Sequence, residues 1–174
     1  MLINGIYIVY KEKGEKMNIN VYGMRMNEDK TSYLIKEAAY EYEGSGSVTD
    51  AEDIVTMLNA VFDLKSRAEE HLFMIALSTT QEIKGVFEIS HGDIFRSPIS
   101  SREIFSRALL IWACAIILAH NHTSGHNEPS QADIDRTKKI LIAGEIMGIQ
   151  LLDHIIIGDE YTSMLNLGML RLSA

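Results

Sequence analysis

Apolar and polar positions along the chain change period several times, and each change marks an element. Ile19 to Met24 and Tyr33 to Tyr42 read as strands, the second alternating only loosely, as suits a sheet edge. Gly44-Ser45-Gly46-Ser47 reads as a loop. Thr49-Asp50-Ala51-Glu52 has the form of a capping box, so a helix is predicted to start there. Ile54, Met57, Leu58, Val61 and Phe62 would give that helix one apolar face.

The middle of the chain is denser in apolar runs. His71 to Leu77 is short and apolar throughout, as a strand buried on both faces would be. Ile83 to Ile89 is a further strand, with Gly85 as its weak point, and a loop through Gly92 and Pro98 follows it. Ser100 or Ser101 then caps a helix that carries Ile104, Phe105, Ala108, Leu109 and Trp112 on one side. Ala113 to Ala119 is another buried strand, and it runs straight into His120. Gly125, Asn127 and Pro129 make Asn121 to Pro129 a loop. Ser130 reads as an N-cap, with Asp133 three residues on. Ile134, Ile140, Leu141 and Ile142 carry the next helix to Gly144, or past it to Met147 and Gly148. Ile149 to Ile157 and Tyr161 to Leu165 close the chain as strands. Strands and helices alternate without repeats, which predicts an α/β (α+β) fold with a mixed β-sheet flanked by helices.

Composition narrows the class. The chain has 174 residues, 47% of them hydrophobic and 23% charged, which suits a globular domain with a real core. Its single cysteine, Cys114, looks buried in the apolar run, so neither a disulfide framework nor a cysteine-rich metal site is expected. That pattern fits a reducing cytoplasm. Acids outnumber bases, 24 against 16, for a net charge of −8, which argues against direct nucleic-acid binding. Arg136, Lys138 and Lys139 form the one local basic patch of note. No stretch has the length of a membrane helix, and Leu2 to Tyr10 lacks the flanks of a signal peptide. The run KEKGEK, Lys11 to Lys16, precedes Met17, and purine-rich codons for it would resemble a ribosome-binding site. Met17 is therefore a candidate start of translation.

The stretch that carries chemistry is AHNHTSGHNEPSQAD, Ala119 to Asp133. Two histidines two residues apart at a strand end can point the same way, because strand side chains alternate. Asp133, in the first turn of the next helix, would point back at the loop. Two imidazole nitrogens and one carboxylate oxygen leave a tetrahedral zinc one open position, the arrangement of catalytic sites. Zinc lowers the pKa of a bound water to about 7, and a neighbouring carboxylate can take the proton. Ser130 is placed to donate to a developing oxyanion, in competition with its capping task. Capping alone explains Ser130 and Asp133 equally well. It does not explain two histidines closing an apolar strand beside a glycine-containing loop.

The pattern H-x-H, seven residues, then S-x-x-D, here His120, His122, Ser130 and Asp133, resembles the JAMM motif of the MPN-type zinc peptidases. The wider text is similar to one branch of them, the RadC-like proteins. It does so through EEHLFMIALST (Glu69 to Thr79), SREIFSRALL (Ser101 to Leu110), AIILAHNHTSG (Ala115 to Gly125), EPSQADIDRTKKI (Glu128 to Ile140) and GIQLLDHIIIGD (Gly148 to Asp159). The resemblance covers roughly Val48 to Leu167 and divides the chain into a strand-rich extension, 1–47, and a RadC-like domain, 48–174. It implies a metalloprotease architecture of the MPN or cytidine-deaminase-like kind. It also implies Zn2+ on His120, His122 and Asp133, an oxyanion role for Ser130 and a catalytic glutamate. Glu70 is the residue that matches the glutamate, with Glu69 next to it as the alternative. The family usually has Pro where Thr123 stands and an acid-Pro pair where His126-Asn127 stands, which touches loop shape and leaves the ligands intact. The residues before Val48 are too few and too strand-like for the helix-hairpin-helix DNA-binding region of full-length members.

The resulting expectation is a zinc hydrolase of a peptide or isopeptide bond, with substrate and oligomeric state open. Its rival is a non-catalytic RadC-like protein partner in DNA repair or mobile-element maintenance, and a third reading is a catalytically idle scaffold, which would show degraded ligands. His126 reads as an exposed loop residue before it reads as an extra ligand. His71 and His91 read as structural or exposed. Asp153 and His154 read first as half-buried hydrogen-bonding groups, and second as support for a zinc ligand. Arg102 and Glu103 read as surface charges, and Cys114 as core packing.

Overall fold

The computed structural model describes residues 16–44, 48, 50–92 and 100–171. The expected loops at Ser45–Ser47 and around Pro98, and the apolar stretch before Lys16, lie outside them. Seven strands and three helices follow in the order β1 (Lys16–Met26), β2 (Ser32–Glu43), α1 (Ala51–Phe62), β3 (His71–Leu77), β4 (Ile83–His91), α2 (Ser101–Leu110), β5 (Ala115–Asn121), α3 (Gln131–Met147), β6 (Gln150–Ile157) and β7 (Tyr161–Ser163). All seven strands share one sheet, ordered β2-β1-β4-β3-β5-β6-β7. The pairs β1–β4 and β5–β6 are parallel and the rest antiparallel, so the sheet is mixed and helix-flanked, the fold class expected.

The apolar runs of β3 and β5 follow from their central place. Phe73, Ile75 and Leu77 point to the face that α1 covers, packing with Ile54, Met57 and Leu58. Leu72, Met74 and Ala76 point to the other face, against Ile104, Phe105 and Ala108 of α2 and Ile140 of α3. A strand covered on both sides has no polar face to alternate. The edge strand β2 is mostly exposed, in keeping with its loose pattern.

Several elements depart from their sequence patterns. Asp50 caps α1, its side chain accepting from the Asp53 N–H, one residue beyond the expected Thr49 start. Ser100 caps α2, but that helix ends at Leu110. Trp112 adopts a left-handed backbone, φ 54°, which turns its side chain out of the helical period and leaves it 83% exposed. Leu109 is also exposed, so the apolar face of α2 is narrower than expected. Cys114 is exposed, not core, because it stands before β5 begins, in the turn that joins α2 to the strand. Next to Gly85 the β3–β4 ladder slips register, and a Cβ at Gly85 would come within 2.8 Å of Tyr22 and Ile111, so that packing relies on the glycine. The last strand stops at Ser163, short of Leu165, because Asp153 takes the Leu165 N–H out of the ladder. Among the described residues no helix is long and apolar enough to cross a membrane.

Candidate metal centre

Strand β5 delivers the first histidine. Leu118 faces α2 and α3, and alternation sends His120 to the same side, where it is buried. His122 lies one residue past the strand, held by its backbone N–H on the Ile157 carbonyl at 2.8 Å. The loop then turns at Gly125, whose φ is +81°, and presses on the β6–β7 turn. The Asp159 N–H donates to the Gly125 carbonyl at 2.7 Å, and a Cβ on Gly158 would meet that same oxygen at 2.2 Å. Ser130 ends the loop as the N-cap of α3, in a full capping box with Asp133.

His120, His122 and Asp133 converge. Their nearest ligand-type atoms all lie within 4.8 Å of one another. The Nε2 atoms of the two histidines are 2.9 Å apart, while Asp133 sets Oδ1 3.4 Å from His120 Nε2 and Oδ2 3.5 Å from His122 Nε2. A tetrahedral ion with bonds of about 2.0–2.1 Å has ligand atoms about 3.3 Å apart. Each carboxylate oxygen lies at that spacing from one of the two histidines, and the imidazole edge is a few tenths shorter.

The hydrogen bonds behind the ligands fix which ring nitrogens are bare. His122 Nδ1 lies 2.9 Å from the His126 carbonyl, which can only accept, so Nδ1 carries the proton and Nε2 a lone pair. His120 is set by a longer chain. The Thr137 hydroxyl donates to the Asp133 carbonyl at 2.6 Å, so it must accept from His154 Nδ1, also at 2.6 Å. His154 Nε2 is then bare, and at 2.9 Å it must accept from His120 Nδ1. His120 Nε2 is left with a lone pair as well. With His122 neutral, two imidazole lone pairs and a carboxylate face one point, a donor set that could hold a cation; without one, a proton on His122 Nε2 is shared with His120 and Asp133.

Residues 48–169 match the model of the RadC-like JAB domain. The chain belongs to the RadC-like JAB domain family. It is 42% identical over 115 residues to a UPF0758 protein of Enterococcus faecalis, covering 66% of this chain and 49% of that one. It is 41% identical over 110 residues to a UPF0758 protein of Pelobacter propionicus, 63% of this chain and 48% of the relative. A UPF0758 protein of Desulforudis audaxviator is 44% identical over 96 residues, 55% and 42% of the two chains. The chain spans about half the length of the curated relatives it matches.

Within this RadC-like JAB domain, burial and neighbouring charge act differently on each of these side chains. Burial, reinforced by His154, pushes the His120 imidazole well below its usual pKa, so it is neutral at physiological pH. Burial alone would raise Asp133, but His122, His120 and the two Ser130 hydrogen bonds outweigh it and hold the carboxyl below the usual carboxylate range. The Asp133 carboxylate raises His122. His154, wholly enclosed, is lowered by burial to about 4. Arg136 NH1 stands 3.6 Å from Asp133 Oδ1, so the basic patch read from Arg136, Lys138 and Lys139 is split: Arg136 faces the site and the lysines face solvent.

The other candidates fall into place around the ligands. Glu70 is half-buried just before β3, and its charge acts on both His122 and Arg136. Glu69 is exposed, its carboxylate 3.6 Å from His91. Ser130 Oγ donates to Asp133 Oδ2 at 2.5 Å and accepts from the Asp133 N–H at 3.2 Å, so its hydroxyl is engaged in the cap. His126 contributes its carbonyl, while its side chain is exposed. His71 is bonded to Glu88 at 2.7 Å, and His91 is exposed.

Asp153 and His154 divide. Asp153 has the structural role, accepting from the His154 N–H, Ser163 Oγ and the Leu165 N–H. His154 instead backs a candidate ligand, the role ranked second on sequence grounds. Thr137 was missed altogether. Its only signal was its place one helical turn after Asp133.

Proposed function

We propose that this RadC-like JAB domain is a zinc-dependent hydrolase of a peptide or isopeptide bond. The observation that carries the proposal is the donor set itself: two Nε2 atoms and a carboxylate, buried to half-buried, converging within 4.8 Å of one another where one cation would replace the proton they share. His120, His122 and Asp133 would hold Zn2+. When bound, the ion supplies Lewis-acid polarisation of a carbonyl and acidifies a water. Glu70 is the candidate base: its carboxylate takes a proton from the attacking water and returns it to the leaving amine. Ser130 steadies the oxyanion, for which its hydroxyl must turn away from Asp133 Oδ2. Arg136 offsets the negative charge of Asp133 and Glu70. The cytoplasm is the compartment that fits the single, unpaired cysteine.

Elemental analysis tests the metal. The wild-type chain purified without chelator should carry about one zinc per chain, and His122→Ala close to none. Equal metal in both would remove the assigned site. Loss of a cellular phenotype in Glu70→Gln, with zinc content kept, separates a hydrolase from a non-catalytic partner in DNA repair.

A further inference from the structure

Between the two histidine ligands stands Asn121, which the proposed mechanism leaves without a task. It is a polar side chain, yet only 1% exposed. Its Oδ1 accepts from the His71 N–H at 2.7 Å, and its Nδ2 donates to the Glu69 carbonyl at 2.9 Å. The two bonds bracket Glu70. From them we propose that Asn121 is a positioning residue that sets Glu70 relative to the metal ligands. The inference rests on the role of Glu70 proposed above.

The topology shows why a side chain is needed there. The β3–β5 ladder ends at Leu72↔His120, and the next β5 residue, Asn121, pairs on its other side with Ile157 of β6. The amide of Asn121 stands in for the missing rung, offering one acceptor and one donor where a strand would. On the far side the Gly92 N–H donates to the Glu70 carbonyl at 2.9 Å. Residues 69–71 are thus gripped from both flanks, once by Gly92, just past β4, and once by the residue that separates His120 from His122. A shift of β5 moves both ligands and the Glu70 backbone together, so base and metal keep their spacing. The charge of Glu70 also raises His122, after the larger influence of Asp133. Serine or threonine in place of Asn121 could supply one of the two bonds but not both at this separation.

The test uses the full chain as wild type, Asn121→Ala, Glu70→Gln and the double variant, each loaded with cobalt(II). The pH midpoint of the cobalt visible band is followed. Glu70→Gln should move the midpoint by about one pH unit, as loss of a charge near the metal does. Asn121→Ala should move it the same way and keep its metal, and the double variant should add nothing. An unmoved midpoint in Asn121→Ala, or additive shifts in the double variant, would overturn the inference. An unmoved midpoint in Glu70→Gln would overturn it together with the base assignment.

Hydrogen exchange of the His71 amide in metal-free protein is an independent readout. It should speed up about tenfold in Asn121→Ala, the loss of one hydrogen bond. Asn121→Gln, which keeps both amide groups on a longer stem, should restore part of the protection. Equal protection in wild type and Asn121→Ala would refute the clamp even in a chain that took up no metal. Absent metal in the wild type would instead refute the hydrolase proposal.

Discussion

At the β5–β6 end of the sheet, polar side chains are buried: His120, Asn121, Asp133, Thr137, Asp153 and His154 are each at most 5% exposed. The β1–β2 hairpin at the other end shows the reverse, with Tyr33, Ile35 and Tyr40 more than 40% exposed. Its ion pairs, Lys16–Glu41 and Arg25–Glu37, are exposed as well. Burying six polar groups is unfavourable unless each is bonded, and here the bonds run to one another and to backbone N–H and carbonyl groups. What the contrast teaches is that polarity inside this protein is concentrated where lone pairs must be aimed, while the hairpin carries apolar surface with nothing comparable to aim.

The comparison can be broken or sharpened by substitution and by pH. The largest effect is expected in the sheet centre. Phe73→Ala should destabilise by about 3–5 kcal/mol in urea unfolding, because Phe73 is fully buried between α1 and the sheet. Next comes acid. His154 binds a proton near pH 6.5 in the unfolded chain and near 4 in the folded one. Its contribution is therefore complete above pH 6.5 and is lost as pH falls towards 4, about 3 kcal/mol in metal-free protein. Urea curves at pH 7 and pH 4 check this, and a His154→Gln chain should show a smaller difference, what remains coming from His120, which burial also lowers.

A smaller change belongs to metal affinity. His154→Gln should weaken zinc binding about 10–100-fold in chelator competition, since the group orienting His120 is altered while the three ligands remain. The hairpin should respond least. Arg25→Ala removes an exposed ion pair and should shift stability by about 0.5 kcal/mol with zinc content unchanged. A large loss of zinc there would mean that the two ends of the sheet are coupled.

Much of this was legible in the chain, and the misses share a cause. His71 to Leu77 announced a strand buried on both faces, and it occupies β3 residue for residue. Ser130 and Asp133 announced a capped helix start, and the capping box is there. Trp112 and Cys114 misled because apolar character was continued past the points where α2 ends and β5 begins. One left-handed residue breaks a helical period, and no local pattern marks it. His154 was ranked as a general hydrogen-bonding group because its value depends on a neighbour 34 residues away.

Local sequence determined the periods, the caps and the identity of the candidate ligand residues: His120 and His122 at a strand end, Asp133 in the first helical turn. These depend on spacing along one or two elements, which the chain carries with it. Tertiary structure alone decided that β6 lies parallel beside β5, that Thr137 and His154 therefore aim the His120 lone pair, and that Asn121 grips the backbone around Glu70. Those contacts join residues far apart in the chain, and only the packing of the sheet and α3 brings them within hydrogen-bond distance.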